Sequence, residues 1–144
     1  MEKCSKIQSY LFEGLKFQKL VAKVLNESLA DLGFNALQGV YLVYLYSNDQ
    51  GLTLRELTDY TCVDKAQITR ISTDLMSKGI IVTDKKQTNE RKYRVFLTDT
   101  GRKIALDILS RIPLIEEELL CRLTPESKEN FIAAMQCIID FLKQ

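Results

Sequence analysis

Apolar residues recur at three- and four-residue steps over residues 6–32, through Ile7, Tyr10, Leu11, Phe17, Val21, Val24 and Leu25. That spacing predicts a long amphipathic helix, and Gly33 is placed to end it in the left-handed conformation. Leu15, Leu20 and Leu29 widen the apolar stripe beyond what one partner helix would cover, so a second partner is implied. Asn35 is a candidate cap for the next helix. That helix is apolar nearly all round, from Leu37 through Val40 to Tyr46, and is expected at the centre of the core.

Asn48, Asp49, Gln50 and Gly51 predict a turn. Thr53 followed by Glu56 reads as a capping box opening a short helix to about residue 60. After the brief break at Thr61, Cys62 and Val63, Asp64 and Gln67 repeat the capping pattern. The helix that follows runs through Ile68, Ile71, Leu75 and Met76, points the first three inward and stops at Lys78 and Gly79. Two short helices, a three-residue turn and a basic second helix are what a DNA-reading helix-turn-helix requires. Residues 80–83 are a β-branched strand, and Tyr93, Val95 and Leu97 alternate with Arg94 and Phe96 in a returning one. Between them lies a charged stretch without apolar residues, a wing expected to project into solvent.

Thr98 is a cap for a helix with Ile104, Ala105, Ile108 and Leu109 on its apolar face, which Pro113 is expected to bend or end. Residues 114–123 look helical, and Thr124-Pro125 supplies a cap and a first-position proline for a last helix. The predicted fold is mainly α, an α+β winged helix-turn-helix with about six helices and a two- to three-stranded wing hairpin. One domain is expected over residues 1–144. Within it, a DNA-binding lobe spans 35–99, with the helix-turn-helix at about 53–78 and the wing at about 80–97. Residues 1–34 and 100–144 supply dimerisation helices, whose apolar residues exceed what so small a core could cover.

Charge sharpens this picture. The net charge of +1 is uninformative, but residues 64–103 hold ten basic and five acidic side chains, a balance of +5. The remainder holds ten basic and fourteen acidic, a balance of −4, so positive charge gathers where a phosphate-binding surface needs it. In the second helix, Lys65, Gln67, Thr69 and Arg70 occupy the first two turns, where a helix in the major groove reads base edges. Lys85, Lys86, Arg91, Lys92 and Arg94 line the wing, from which arginines can enter a narrow minor groove.

The run Val63-Asp64-Lys65-Ala66-Gln67-Ile68-Thr69-Arg70, with Leu75 and Lys78-Gly79-Ile80-Ile81, resembles the recognition-helix signature of the MarR family of multiple-antibiotic-resistance regulators. Asn89-Glu90-Arg91, then Val95, Leu97, Thr98 and Gly101, resembles that family's wing and the start of its fifth helix. The match extends upstream through Leu52-Thr53 and Glu56-Leu57. The resemblance implies a DNA-binding transcription regulator, a ligand- or redox-responsive homodimeric repressor on a pseudo-palindromic operator. Thr53, Lys65, Gln67, Thr69 and Arg70 would then lie at the double-stranded DNA, with Lys85, Lys86, Asn89, Lys92 and Arg94 on the wing and Arg91 at its tip. Two departures stand out: Asn89 replaces the family's usual Asp, and Cys62 and Thr58 stand where Gly and Ala are common.

Members of that family bind small aromatic molecules between the DNA-reading part and the dimerisation helices, so Tyr10, Phe17, Tyr41 and Tyr44 are candidate pocket residues beside a plain core-packing role. Some members sense oxidants through a thiol, which makes Cys4 and Cys62 candidates. No cofactor or metal is expected: the chain has no His, and its four cysteines lack zinc-site spacing. No nucleotide-binding glycine loop or nucleophile elbow is present, so an enzyme is not expected. The charged N-terminus and the short longest apolar run, at residues 40–46, predict a cytoplasmic protein without membrane contact. The competing reading is a winged helix used only for protein–protein contact.

Overall fold

The computed structural model describes residues 9–84 and 93–144. It comprises two compact units, Met1–Arg111 and Ile112–Gln144. The first begins with α1 (Tyr10–Leu29), whose end tightens into a 3₁₀ turn at Ala30–Leu32 before Gly33 reverses the chain at φ 80°. The predicted single helix to residue 32 therefore closes with a different winding. Helix α2 (Ala36–Tyr46) opens with a full capping box between Asn35 and Gln38. A third free N–H of its first turn, that of Ala36, donates across to the Asn26 side chain of α1 at 2.6 Å. Gly39 lets the two helices approach, since a Cβ there would stand 2.6 Å from Leu29 Cδ1. As its all-round apolar pattern predicts, α2 is central, with Tyr41, Leu42 and Leu45 buried.

The helix-turn-helix follows as α3 (Leu54–Thr61) and α4 (Lys65–Ser77). Leu57 on α3 and Ile68 and Leu75 on α4 are fully buried. Each such side chain contributes about 1.5–3 kcal/mol by leaving water. Helix α4 is also fastened to α2 by a buried hydrogen bond, 2.7 Å between Tyr41 Oη and Ser72 Oγ. Ser72 Oγ donates to the Ile68 carbonyl at 2.8 Å, which makes Tyr41 the donor to Ser72.

Three antiparallel strands form the sheet, in the order β1-β3-β2: β1 (Leu52–Thr53), β2 (Ile81–Thr83) and β3 (Arg94–Leu97). The register pairs Ile81 with Leu97 and Thr83 with Val95 on one side, and Leu52 with Val95 on the other. Ile81 and Val95 thereby reach the core from adjacent strands. Helix α5 (Asp99–Leu120) starts at Thr98, whose hydroxyl accepts from Gly101 N at 3.1 Å and donates to the Gly79 carbonyl at 2.8 Å.

Arg111 ends this unit as a clamp. Its guanidinium holds both oxygens of Asp31 at 2.6 and 2.9 Å, Asp107 at 3.0 Å and the Ser28 carbonyl at 2.7 Å. The bidentate pair favours the ionised carboxylate, and the hydrogen bond from Arg111 holds Asp31 below its ordinary pKa.

In the second unit, Pro113 lies inside α5 instead of ending it. Of the two outcomes expected at Pro113, a bend or an end, the end does not occur. The missing N–H and the ring clash cost roughly 3 kcal/mol in a helix interior, and the helix persists across that position to Leu120. Helix α6 (Pro125–Leu142) follows, capped by Thr124 with Pro125 in its first turn, as the sequence predicts. None of its residues is buried; Ile132, Ile138, Phe141 and Leu142 are all more than half exposed. Among the described residues no helix is long and apolar enough to cross a membrane.

Candidate nucleic-acid interface

The turn between α3 and α4 depends on one unusual backbone position. Cys62 ends α3 in the left-handed region at φ 56°, the only non-glycine residue among those described with positive φ. That conformation crowds a Cβ against the following carbonyl and is one glycine adopts without penalty. Cys62→Gly is therefore expected to raise stability by up to about 1 kcal/mol, read as a higher thermal midpoint at fixed protein concentration. A lower midpoint would mean that the thiol's long contact with the Asp59 carbonyl, 3.8 Å, outweighs the strain.

Asp64 then caps α4, accepting from Gln67 N at 2.9 Å. In the boxes at Asn35 and Thr53, the third-position side chain folds back onto the cap N–H at 3.0 and 2.9 Å. Gln67 does not, so only half of the expected box forms and its carboxamide has no hydrogen-bond partner among the described residues. Beyond the cap, Ile68, Ile71, Ser72 and Leu75 are buried. Ala66, Thr69, Arg70, Thr73 and Ser77 form an exposed stripe at three- and four-residue spacing, flanked by exposed Lys65 and half-buried Gln67. The Thr69 and Thr73 hydroxyls donate to carbonyls one turn earlier, at 2.8 and 3.0 Å, which turns their methyls and spare lone pairs outward. The sequence singled out Lys65, Gln67, Thr69 and Arg70 but passed over Ala66 and Thr73. Three- and four-residue spacing from Thr69 and Arg70 was the signal that could have found them.

Geometry divides the ten basic residues of the 64–103 segment. Lys65, Arg70 and Lys103 are exposed and have no ion-pair or hydrogen-bond partner among the described residues. Lys78 pairs with Asp74 at 3.0 Å and Arg102 with Asp49 at 3.2 Å. Arg94 donates to the Gly51 carbonyl at 3.0 Å and lies 3.6 Å from Glu56 Oε2. Thr53 is likewise committed, its hydroxyl and N–H both engaged by Glu56. Lys85, Lys86, Asn89, Arg91 and Lys92 lie outside the described residues, and so does the expected tip of the wing.

The four aromatic pocket candidates lie at different depths of the first unit. Tyr41 is in the core, and Tyr44 stacks on Tyr60 with ring centroids 5.3 Å apart. Tyr10 is 97% exposed at the far end of α1. It stands about 28 Å along the helix from Leu29, which meets α2. Phe17 is half exposed, two turns further in. Cys62 is exposed, and Cys4 falls outside the described residues. Among the described residues, no cluster of His, Cys, Asp and Glu could hold a metal ion.

No protein-family profile matches the chain. A protein of Thauera aromatica, described as a candidate transcriptional regulatory protein for the hcr operon, is 24% identical over 99 residues. The match covers 68% of this chain and spans only 60% of that relative's length. Solved structures resemble the chain over nearly its whole extent. MepR of S. aureus in complex with DNA superposes with a TM-score of 0.81 at 20% identity, covering 92% of this chain and 97% of that one. A MarR protein of Peptoclostridium difficile gives 0.86 at 18% identity, covering 99% and 94%. A MarR transcriptional regulator of Methanosarcina mazei gives 0.79 at 20% identity, covering 91% and 94%. With its α3-turn-α4 motif, its three-stranded sheet in the order β1-β3-β2 and its flanking helices, the chain has the winged helix-turn-helix fold of the MarR-type transcription regulators.

Proposed function

We propose that the protein is a sequence-specific, DNA-binding transcription regulator that acts as a homodimer on a two-fold-symmetric operator. The observation that carries this reading is the outer face of α4. Small side chains (Ala66, Thr69, Thr73) let the helix backbone approach the floor of a major groove, and thymine methyls can pack against them. Arg70 and Lys65, without partners among the described residues, can reach guanine or phosphate, and Gln67 offers the donor–acceptor pair that matches adenine. The fold likeness to MepR in its DNA complex agrees with that placement. The wing residues Lys85, Lys86, Arg91 and Lys92 would add minor-groove and phosphate contacts.

Exposed apolar surface supports dimerisation. Tyr10, Leu11, Phe12, Leu15 and Leu20 on α1 are each more than half exposed, and α6 adds Ile132, Ile138, Phe141 and Leu142. On each helix, exposed large apolar side chains in this number mark an interaction site. A second copy supplies a self-complementary cover and a second α4. In this reading the dimer is a repressor, released when a small aromatic molecule or oxidation of a thiol favours a geometry with the two α4 helices out of step with the grooves.

Selection from a randomised duplex library at moderate salt tests the proposal. The expected result is a two-fold-symmetric site with half-sites about 10 base pairs apart, bound with an affinity that falls steeply and linearly with log salt. Retention of no sequence above background, or binding indifferent to salt, would sink it.

A further inference from the structure

We propose that Arg94 is a positioning residue of the DNA-reading surface rather than a contact to DNA, an inference that rests on the function proposed above. Sequence alone puts Arg94 among the wing cations. The geometry turns it inward, at the junction of three elements. Its main chain closes the base of the β2–β3 hairpin: Arg94 N donates to Asp84 Oδ1 at 2.6 Å, and its carbonyl accepts from Asp84 N at 3.2 Å. On the other edge of β3 it is the cross-strand partner of Thr53, the N-cap of α3. Its guanidinium reaches past Thr53 to the Gly51 carbonyl and to the Glu56 carboxylate. That carboxylate is the one closing the α3 capping box.

A second feature presses the same turn onto the same strand. Gly51, at φ 73°, lies so close to β3 that a Cβ would stand 2.8 Å from the Val95 carbonyl oxygen and from the Phe96 ring. The turn is held again by Arg102 through Asp49 at 3.2 Å. Arg94 thus links the hairpin base to the start of the helix-turn-helix, while a half-exposed ion pair of this kind adds little to overall stability. Its contribution is angular: it fixes how β3 leaves α3, and so where the hairpin stands when α4 enters a groove. Both partners are held through Nη1, so a phosphate contact would have to come from the other guanidinium nitrogens, and the salt slope separates the two roles.

The test compares Arg94→Ala, Arg94→Lys, Glu56→Gln and Arg70→Ala on the selected operator, below the thermal transition and with folding checked by circular dichroism. Glu56→Gln keeps a side chain able to close the box, as Gln38 does at the neighbouring cap, but removes the charge facing Arg94. The expected result is that Arg94→Ala and Glu56→Gln each weaken operator binding about tenfold, that the pair together costs little more than either alone, and that the salt slope stays as in the wild type. Arg70→Ala should instead reduce that slope by about 0.9. Arg94→Lys keeps the charge but lacks the fork, so it should not restore affinity.

A slope lowered by Arg94→Ala and restored by lysine would make Arg94 a phosphate contact and overturn the inference while leaving the proposed function intact. Unchanged affinity in Arg94→Ala would overturn it as well. The DNA-free protein gives an independent reading. Amide exchange at Asp84 and Thr53 should quicken about tenfold in Arg94→Ala with the core of α2 unaffected, and unaltered exchange at both sites would overturn the brace itself whether or not an operator is found.

Discussion

Replacing Gly101 with alanine is expected to lower the unfolding free energy by about 2–3 kcal/mol, the balance of overpacking, a lost hydrogen bond and a small gain in helix propensity. Gly101 is the third residue of α5, a position where glycine is a poor helix former and alanine the best. It is kept there by close approach. A Cβ on Gly101 would overlap the Ile80 carbonyl oxygen, and Leu97 Cδ2 stands 3.2 Å away. That carbonyl is not free to retreat, because it accepts from Thr98 N at 3.0 Å. Thr98 in turn ties α5 to the chain entering β2 through its bond to the Gly79 carbonyl. Accommodating one methyl therefore means moving the start of α5 away from the sheet and stretching both bonds. The measurement is the urea midpoint at fixed protein concentration, with the denaturant slope unchanged. A loss below about 0.5 kcal/mol, within the range of ordinary surface substitutions, would show that the close approach is not what holds glycine there.

The same position shows what could be read from the sequence and what could not. Gly101 stood out only as part of a resemblance; its physical reason, the Ile80 carbonyl 21 residues earlier, is invisible to local pattern. Local signals fared well. Asn35, Thr53, Asp64, Thr98 and Thr124 all cap the helices predicted for them, because a cap is a contact over three residues. Strand β1 was not legible, since two residues become a strand only by pairing with β3 some forty positions later. The 3₁₀ turn after α1 was missed because apolar spacing does not distinguish the last turn of one winding from the other. At Pro113, where a bend or an end was expected, the helix around it overrides the rule that would end it.

At the candidate interface the inward and outward faces of α4 followed from periodicity alone. The cations did not sort themselves: a residue count cannot tell that Arg94 and Arg102 turn to Gly51, Glu56 and Asp49 while Arg70 and Lys65 do not. Each of those partnerships spans roughly forty or fifty residues of sequence, and long side chains are free to choose between solvent and such partners.

Tyrosine 41 carries the last and most distinctive expectation, a crossing of two stability curves in alkali. Its ring is wholly buried between α2 and α4, and burial, only partly opposed by the Ser72 hydrogen bond, pushes its pKa up to about 12 from an ordinary 10. Half-buried Tyr93, also an acid, adds to the rise. The folded state thus holds the phenol proton more tightly than the unfolded chain does. The stability this represents is complete below pH 10 and is lost as pH rises from there through about 12. Two pKa units correspond to about 2–3 kcal/mol. Tyr41→Phe removes the titration together with the bond to Ser72. Ser72 still donates to the Ile68 carbonyl, so near pH 8 the variant should be less stable by only about 1 kcal/mol. Above pH 10 the wild type alone forfeits the phenol contribution, so the difference should shrink, vanish and change sign before pH 12. Unfolding free energies of both proteins, taken at several pH values between 8 and 12, read the crossing directly, and groups not coupled to Tyr41 cancel in the comparison. Parallel curves would show that the Tyr41 phenolate is tolerated in the folded chain, and that the α2–α4 packing is looser than the buried hydrogen bond implies.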